Sequence, residues 1–175
     1  AVASAARMFS LLAEADISLR MVNIGGGFPA RYRSEVSPVE AYAAAVTAAL
    51  TRHFGNHIPE IIVEPGRSLV GNAGVVQSEV VLIADKGDDS GKRWVYLDAG
   101  KFNGLAETMD ESIKYRIETP GRAGPLGPVV IAGPTCDSAD ILYEKTEYRL
   151  PLELEDGDKV ALLAPGASPK SSTSV

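Results

Sequence analysis

The sequence predicts an α/β segment followed by a mainly antiparallel β segment. Up to about residue 72, helix-prone stretches alternate with apolar, strand-like ones. Beyond that point, short β-rich stretches are separated by turn residues. A third observation agrees: 17 Gly and 11 Pro among 175 residues point to many loops between short elements.

In order along the chain, residues 2–15 are alanine-rich and helix-prone, and Leu19 to Ile24 forms a short, mostly apolar strand. Ser37-Pro38-Val39-Glu40 predicts a helix start: Ser37 caps, Pro38 sits where its missing N–H costs nothing, and Glu40 closes a capping box. Tyr42, Val46, Leu50 and Phe54 then recur at four-residue spacing, one apolar stripe facing a core, and Gly55-Asn56 ends the helix. Ile61-Ile62-Val63 is a β-branched strand, and Glu64, preceding Pro65, is held extended at its end. Helix–strand–helix–strand with apolar strands reads as parallel α/β, as in the last units of a barrel. Two such units leave sheet edges exposed, so the chain is expected to begin in the middle of a domain.

The expected strands of the second segment are Val75–Asp85, Arg93–Asp98, Lys114–Glu118, Val129–Ala132, Glu147–Leu150 and Lys159–Ala164. Between them, Gly87-Asp88-Asp89-Ser90-Gly91, Gly121–Pro128 and Asp156-Gly157-Asp158 carry turn chemistry. Leu105–Ser112 predicts one or two helical turns, and the small, polar tail from Ala164 to Val175 is expected to fray.

Composition excludes several functions. A net charge of −6 argues against nucleic acid or an anionic membrane surface as the main partner. The single cysteine, Cys136, excludes an internal disulfide framework and a Cys-rich zinc module. No apolar run reaches the ~20 residues of a spanning helix, and the first residues do not read as a signal peptide. A soluble, cytoplasmic protein is expected. His53 and His57 are four apart, but Gly55-Asn56 interrupts the helix between them and no further His exists, so no metal site is expected.

Four stretches could carry chemistry. Asn23-Ile24-Gly25-Gly26-Gly27-Phe28-Pro29 puts three glycines after a strand, where their amides could approach a phosphate or where they simply make a turn. Glu64-Pro65-Gly66-Arg67 sets a carboxylate, a glycine and a guanidinium at one strand end. Arg67 with the Gly66 and Arg67 amides could grip a phosphate and Glu64 a protonated ring nitrogen; the plain alternative is a surface Arg paired to a nearby acid. Gly133-Pro134-Thr135-Cys136-Asp137-Ser138-Ala139-Asp140 sets a thiol beside a carboxylate in a tight loop. Such a thiol can give or take a proton, or can be a structural cysteine. Asp98-Ala99-Gly100 ends a strand, as a plain turn or as a carboxylate for a cationic amine.

Taken in order, NIGGGFP, EPGR, YLDAGKFNG, GPTCDSAD and YRLP resemble the pyridoxal-phosphate-dependent ornithine/lysine decarboxylases over roughly residues 20–163. That family has the alanine-racemase-like (fold type III) architecture, a TIM-type (β/α)8 barrel plus a C-terminal β domain. The resemblance places residues 1–73 in the C-terminal part of the cofactor-binding barrel and 74–175 in a β-barrel or sandwich domain. It implies that Gly25, Gly26 and Gly27 line the cofactor phosphate with Gly66 and Arg67, and that Glu64 pairs with the pyridine nitrogen. Cys136 would reprotonate the α-carbon, while Asp98 and Asp137 would bind the distal ammonium of a small-molecule amino-acid substrate. Cys136 and Asp137 would reach into a partner's site, implying a homodimer with shared active sites. Asp137 after Cys136 resembles the ornithine/lysine branch, whose products are diamines of polyamine biosynthesis, because diaminopimelate enzymes carry Glu there.

Two departures stand out. The family's Schiff-base lysine lies in an N-terminal Tyr-Ala-Xaa-Lys-Ala motif that is missing here. The seven lysines (Lys86, Lys92, Lys101, Lys114, Lys145, Lys159, Lys170) all fall in the β part. The family's Gly-Ala-Tyr-Thr segment is replaced by Gly166-Ala167-Ser168-Pro169. The chain is therefore expected to be the C-terminal part of a decarboxylase, inactive alone. The alternative is a non-catalytic, decarboxylase-like dimerisation or regulatory module, favoured by Ser168 and opposed by intact Glu64, Arg67, Cys136 and Asp137.

Overall fold

A computed structural model describes residues 1–87 and 91–167. The centre of the turn expected at Asp88-Asp89-Ser90, and the tail positions Ser168 and Pro169, lie outside the described residues. The chain divides into two compact units, Ala1–Pro29 with Glu35–Ser68, and Ala30–Ser34 with Leu69–Val175.

The first unit contains α1 (Val2–Ala13), β1 (Met21–Asn23), α2 (Val39–Phe54) and β2 (Glu60–Ile62). β1 and β2 pair in parallel, Val22 facing Ile61, so a crossover must join them, and α2 supplies it. The stripe on α2 turns inward as its spacing predicts: Leu50 is buried and Tyr42, Val46 and Phe54 are half-buried. Phe54 meets Phe9 of α1 edge-on, with ring centroids 5.2 Å apart. Gly55 ends the helix at φ +60°. The start differs from expectation. Pro38 itself is the cap residue, extended at φ −63°, ψ 155°, and no side chain caps the helix. Ser37 therefore lies one position too early to reach the first free amides, and the capping box does not form.

The short helix α3 (Arg67–Val70) and a 3-10 turn at Gly71–Ala73 lead into one six-stranded sheet. Its strands are β3 (Val75–Asp85), β4 (Arg93–Leu97), β5 (Arg116–Glu118), β6 (Leu126–Ala132), β7 (Ile141–Pro151) and β8 (Lys159–Leu163), in the order β5-β8-β3-β4-β6-β7. Four of the five pairings are antiparallel, as expected, and one is not: β4 and β6 run parallel, so the sheet is mixed. The long connection between them, which contains β5, returns the chain in its original direction, as no hairpin can. The sheet is also single rather than a sandwich. β3 pairs with β8 over Val75–Glu79 and with β4 from Val80 onward, which lets one sheet curl into a half-barrel.

The core of this unit includes Val80, Val95, Ile131, Leu142, Tyr143 and Leu162, all at 0% exposure. Each such aliphatic side chain contributes about 1.5–3 kcal/mol over an exposed one. The hydroxyls of its two stacked tyrosines are hydrogen-bonded to backbone. The Tyr143 hydroxyl donates to the Ile113 carbonyl at 2.9 Å and accepts from the Tyr115 amide at 3.0 Å. The Tyr148 hydroxyl donates to the Tyr115 carbonyl at 2.6 Å, and the Tyr143 and Tyr148 rings stack at 4.3 Å. Burial pushes the Tyr143 hydroxyl well above its ordinary range and Tyr148 up to about 12. Arg33 lies over the Tyr148 ring at 4.5 Å, which draws residues 30–34 into this unit.

Strand β7 is longer than expected and bulged. Val129 faces Tyr148 while Ile131 faces Tyr143, so β7 carries three extra residues over that stretch. The amides of Glu144, Lys145 and Thr146 donate at 2.7–2.8 Å to the carboxylate of Glu111, which is 8% exposed. Glu111 ends the 3-10 segment Ala106–Glu111, within the stretch predicted to hold one or two helical turns.

Candidate functional site

In the first unit the glycine loop and the Glu64 strand end meet. The Asn23 side chain accepts from the Gly25 amide at 2.8 Å and donates to Glu64 Oε1 at 2.6 Å. The Glu64 amide donates to the Gly25 carbonyl at 2.8 Å. Gly25 and Gly27 have φ of +72° and +79°, so both use the left-handed region that glycine enters freely. Gly26 is needed for space: a Cβ there would lie 2.3 Å from the Glu64 carbonyl oxygen. By contrast, a Cβ at Gly25, Gly27 or Gly66 would meet no atom within 4 Å. The loop is thus an open cradle of backbone beside an exposed carboxylate, with Gly66 and half-buried Arg67 following directly in the chain. Backbone amides with a guanidinium suit a phosphate, and a carboxylate steadied by Asn23 suits a protonated ring nitrogen.

The second unit holds Asp98, Cys136 and Asp137. Asp98 follows β4, and its Oδ1 accepts from the Ser78 hydroxyl at 2.5 Å and the Glu79 amide at 2.8 Å. One carboxylate oxygen of Asp98 therefore clips the bend in β3. Asn103 closes the following loop, donating to the Asp98 carbonyl at 2.9 Å and accepting from the Gly100 amide. Cys136 is an exposed free thiol, not a buried structural one. Asp137 is exposed and caps the 3-10 turn Ser138–Asp140 by accepting from the Ala139 amide at 2.8 Å.

Two residues that organise these loops are absent from the expected site. Asn23 fastens the glycine loop to Glu64, and its signal was its place at the head of the glycine run. Asp140 is 1% exposed and accepts from both the Lys101 amide and the Thr135 hydroxyl. Its signal was the closing acid of GPTCDSAD. Among the described residues no group of three His, Cys, Asp or Glu is placed to hold a metal ion, and no helix is long and apolar enough to cross a membrane.

A curled mixed sheet, a parallel strand pair with a glycine cradle and an EPGR strand end, and an exposed Cys-Asp loop agree with the class that the sequence motifs resemble, the pyridoxal-dependent decarboxylases. Residues 3–166 match the family described as pyridoxal-dependent decarboxylase, C-terminal sheet domain, and the chain belongs to that family. Its cofactor is pyridoxal 5′-phosphate. The chain is 33% identical over 162 residues to the diaminopimelate decarboxylase of Staphylococcus aureus (strain COL), covering 89% of this chain and 37% of the relative. It is 29% identical over 165 residues to the lysine/ornithine decarboxylase of Selenomonas ruminantium, covering 93% and 39%. The crystal structure of lysine/ornithine decarboxylase complexed with cadaverine from Vibrio vulnificus superposes with a TM-score of 0.76 at 29% identity, covering 97% of this chain and 46% of that one. The chain thus spans less than two fifths of the length of these curated relatives.

Proposed function

We propose that these residues serve the decarboxylation of a basic amino acid, ornithine or lysine, to a diamine, and that the covalent cofactor lysine lies outside this sequence. The observation that carries the substrate reading is Asp137 directly after Cys136 on one exposed loop, a carboxylate that can take a distal ammonium. The named relatives include both diaminopimelate and lysine/ornithine decarboxylases, so membership alone leaves the substrate open. When bound, the cofactor supplies an electron sink for the pair left as CO₂ departs.

In this reading Gly25, Gly26, Gly27, Gly66 and Arg67 bind the phosphate, and Glu64, steadied by Asn23, faces the ring nitrogen. Asp98 and Asp137 orient the substrate's distal amine, Asp98 with the oxygen not engaged by Ser78 and Glu79. Cys136 gives its Sγ proton to the α-carbon. Cys136 and Asp137 act in the site of a second copy, in a cytoplasmic homodimer, and the exposed free thiol suits a reducing compartment. Residues 1–73 would be the last units of a parallel barrel and 74–175 the sheet domain. Support for the barrel comes from the first unit's surface: α1 buries none of its residues, and Met8, Leu11, Ile17, Leu19 and Met21 are exposed. Such apolar surface on a parallel pair fits further strands and helices packing there.

Offered ornithine, lysine and diaminopimelate in parallel, the enzyme carrying these residues is expected to release CO₂ from ornithine or lysine at least about tenfold faster, equivalent to ~1.4 kcal/mol. Cys136→Ala in it should lower kcat about 100-fold, the usual scale for losing a positioned acid, and divert product away from the amine. A preference for diaminopimelate would overturn the substrate reading, and unchanged product would remove Cys136 from protonation. Separately, these 175 residues treated with pyridoxal phosphate and borohydride are expected to keep their mass. A stoichiometric adduct would place the covalent lysine among the seven present and overturn that part.

A further inference from the structure

The loop of Cys136 and the loop of Asp98 are fastened together by a buried carboxylate to which the reading above gives no role. Asp140 is 1% exposed. Its Oδ1 accepts from the Lys101 amide at 2.7 Å, across 39 residues of sequence. Its Oδ2 accepts from the Thr135 hydroxyl at 2.9 Å and the Thr135 amide at 3.2 Å. Its carbonyl accepts from the Gly133 amide at 2.8 Å, and its own amide donates to the Asp137 carbonyl at 2.9 Å. Cys136 and Asp137 therefore sit on a short loop pinned at both ends by one residue.

Two glycines make room for that carboxylate. A Cβ at Gly100 would lie 2.4 Å from Asp140 Oδ1, and one at Gly133 would lie 2.3 Å from Oδ2. Neither glycine has a positive φ, so both are required for space rather than for backbone freedom. The carboxylate itself cannot swing away cheaply, because its side chain is short, buried and bonded through both oxygens. Burying a carboxylate is costly unless its hydrogen bonds are made, and an apolar residue would fill such a space at less cost. What the charge adds is a fixed register between two loops.

We propose that Asp140 is the positioning residue of the Cys136 loop, joining the Asp98–Lys101 and Gly133–Asp140 loops into one rigid piece so that Cys136 and Asp137 are presented in a set direction to the site they serve. The positioning role rests on the proposed assignment of Cys136; the joining of the loops does not.

In the chain itself, Asp140→Ala is expected to speed amide exchange at both Lys101 and Thr135 at least tenfold, while the core-strand amides of Val95 and Val129 stay protected. Gly133→Ala should speed exchange in the same two loops, and combining it with Asp140→Ala should add nothing further, since the collision partner is gone. If Asp140→Ala does not fold, Thr135→Val, which removes one bond to Oδ2, should still raise exchange at Lys101 about threefold. In the cofactor-loaded enzyme, Asp140→Asn should lower kcat more than it raises KM and divert product as Cys136→Ala does. Added to Cys136→Ala, it should divert no further.

Unchanged Lys101 exchange in Asp140→Ala, or in Thr135→Val where that variant is used, would overturn the proposal. So would faster exchange accompanied by unaltered kinetics and product in the enzyme. If Cys136→Ala alone leaves the product unchanged, the assignment of Cys136 is what fails, and the exchange result then decides whether Asp140 joins the loops.

Discussion

Glu111→Ala is expected to cost the chain about 3 kcal/mol at neutral pH, from the loss of charge-assisted hydrogen bonds worth roughly 1.5–3 kcal/mol each. Three consecutive amides, of Glu144, Lys145 and Thr146, point at this carboxylate because β7 bulges there and β6 offers them no partner. The segment 144–146 is itself exposed or half-buried, so the freed amides regain some water. That recovery keeps the cost near one strong interaction rather than three.

The same carboxylate gives the stability a recognisable pH signature. Burial alone would raise its pKa, but the Thr146 side chain and the three amides outweigh burial and hold the group down, from 4.5 to about 2. A carboxylate with a depressed folded-state value binds protons more readily in the unfolded chain. Its contribution is therefore full above about 4.5 and is lost as pH falls through that value toward 2. The drop corresponds to about 3 kcal/mol, in line with the cost of truncation. Urea unfolding at pH 7, 4 and 2.5 should show the wild type losing this increment stepwise. Glu111→Gln, nearly isosteric but without charge, should start lower and lose correspondingly less over the same range. Equal slopes for the two proteins would show that Glu111 is not the group responsible.

What the sequence showed of this fold, and what it hid, divides along local against non-local causes. β3, β4 and β8 were legible because β-branched residues alternate between clear turn signals. The first half of β7 was not, because Glu144-Lys145-Thr146 reads as a solvated loop; those residues lie on a bulged edge strand whose amides are answered by Glu111 from far away in the chain. The parallel pairing of β4 with β6 left no local trace, since strand direction is set by the long intervening connection. Ser37 looked like a cap because its type is right, and one residue of register, set by the extended Pro38, put it out of reach. The candidate site shows the same split. Residues of distinctive chemistry, Glu64, Arg67, Cys136 and Asp137, stand out in motifs. The residues that hold the loops, Asn23 and Asp140, are ordinary polar side chains whose importance comes from partners 41 and 39 residues away.

Gly26→Ala is expected to be the most damaging single change in the glycine cradle, costing about 2–3 kcal/mol, the upper range for forcing an extra group into packed structure. The collision is with the Glu64 carbonyl, at 2.3 Å, so backbone must move and no side chain can rotate out of the way. The movement would separate the two loops that Asn23 clips together, and so disturb the phosphate cradle and Glu64 at once. Gly25→Ala meets open space but must adopt φ +72°, a strain of roughly 1–2 kcal/mol. The two positions should therefore respond differently to asparagine, which tolerates the left-handed region: Gly25→Asn should recover most of the loss, whereas Gly26→Asn should recover none. Urea unfolding of the chain followed by circular dichroism would rank the four variants, and titration of pyridoxal phosphate into the enzyme would test the same order in cofactor affinity. If Gly26→Ala proved as stable as wild type, the close contact between the glycine loop and the Glu64 strand end could not hold. If stability fell in the stated order while cofactor affinity stayed constant, the contact would stand and the cradle would lose its assignment to the phosphate.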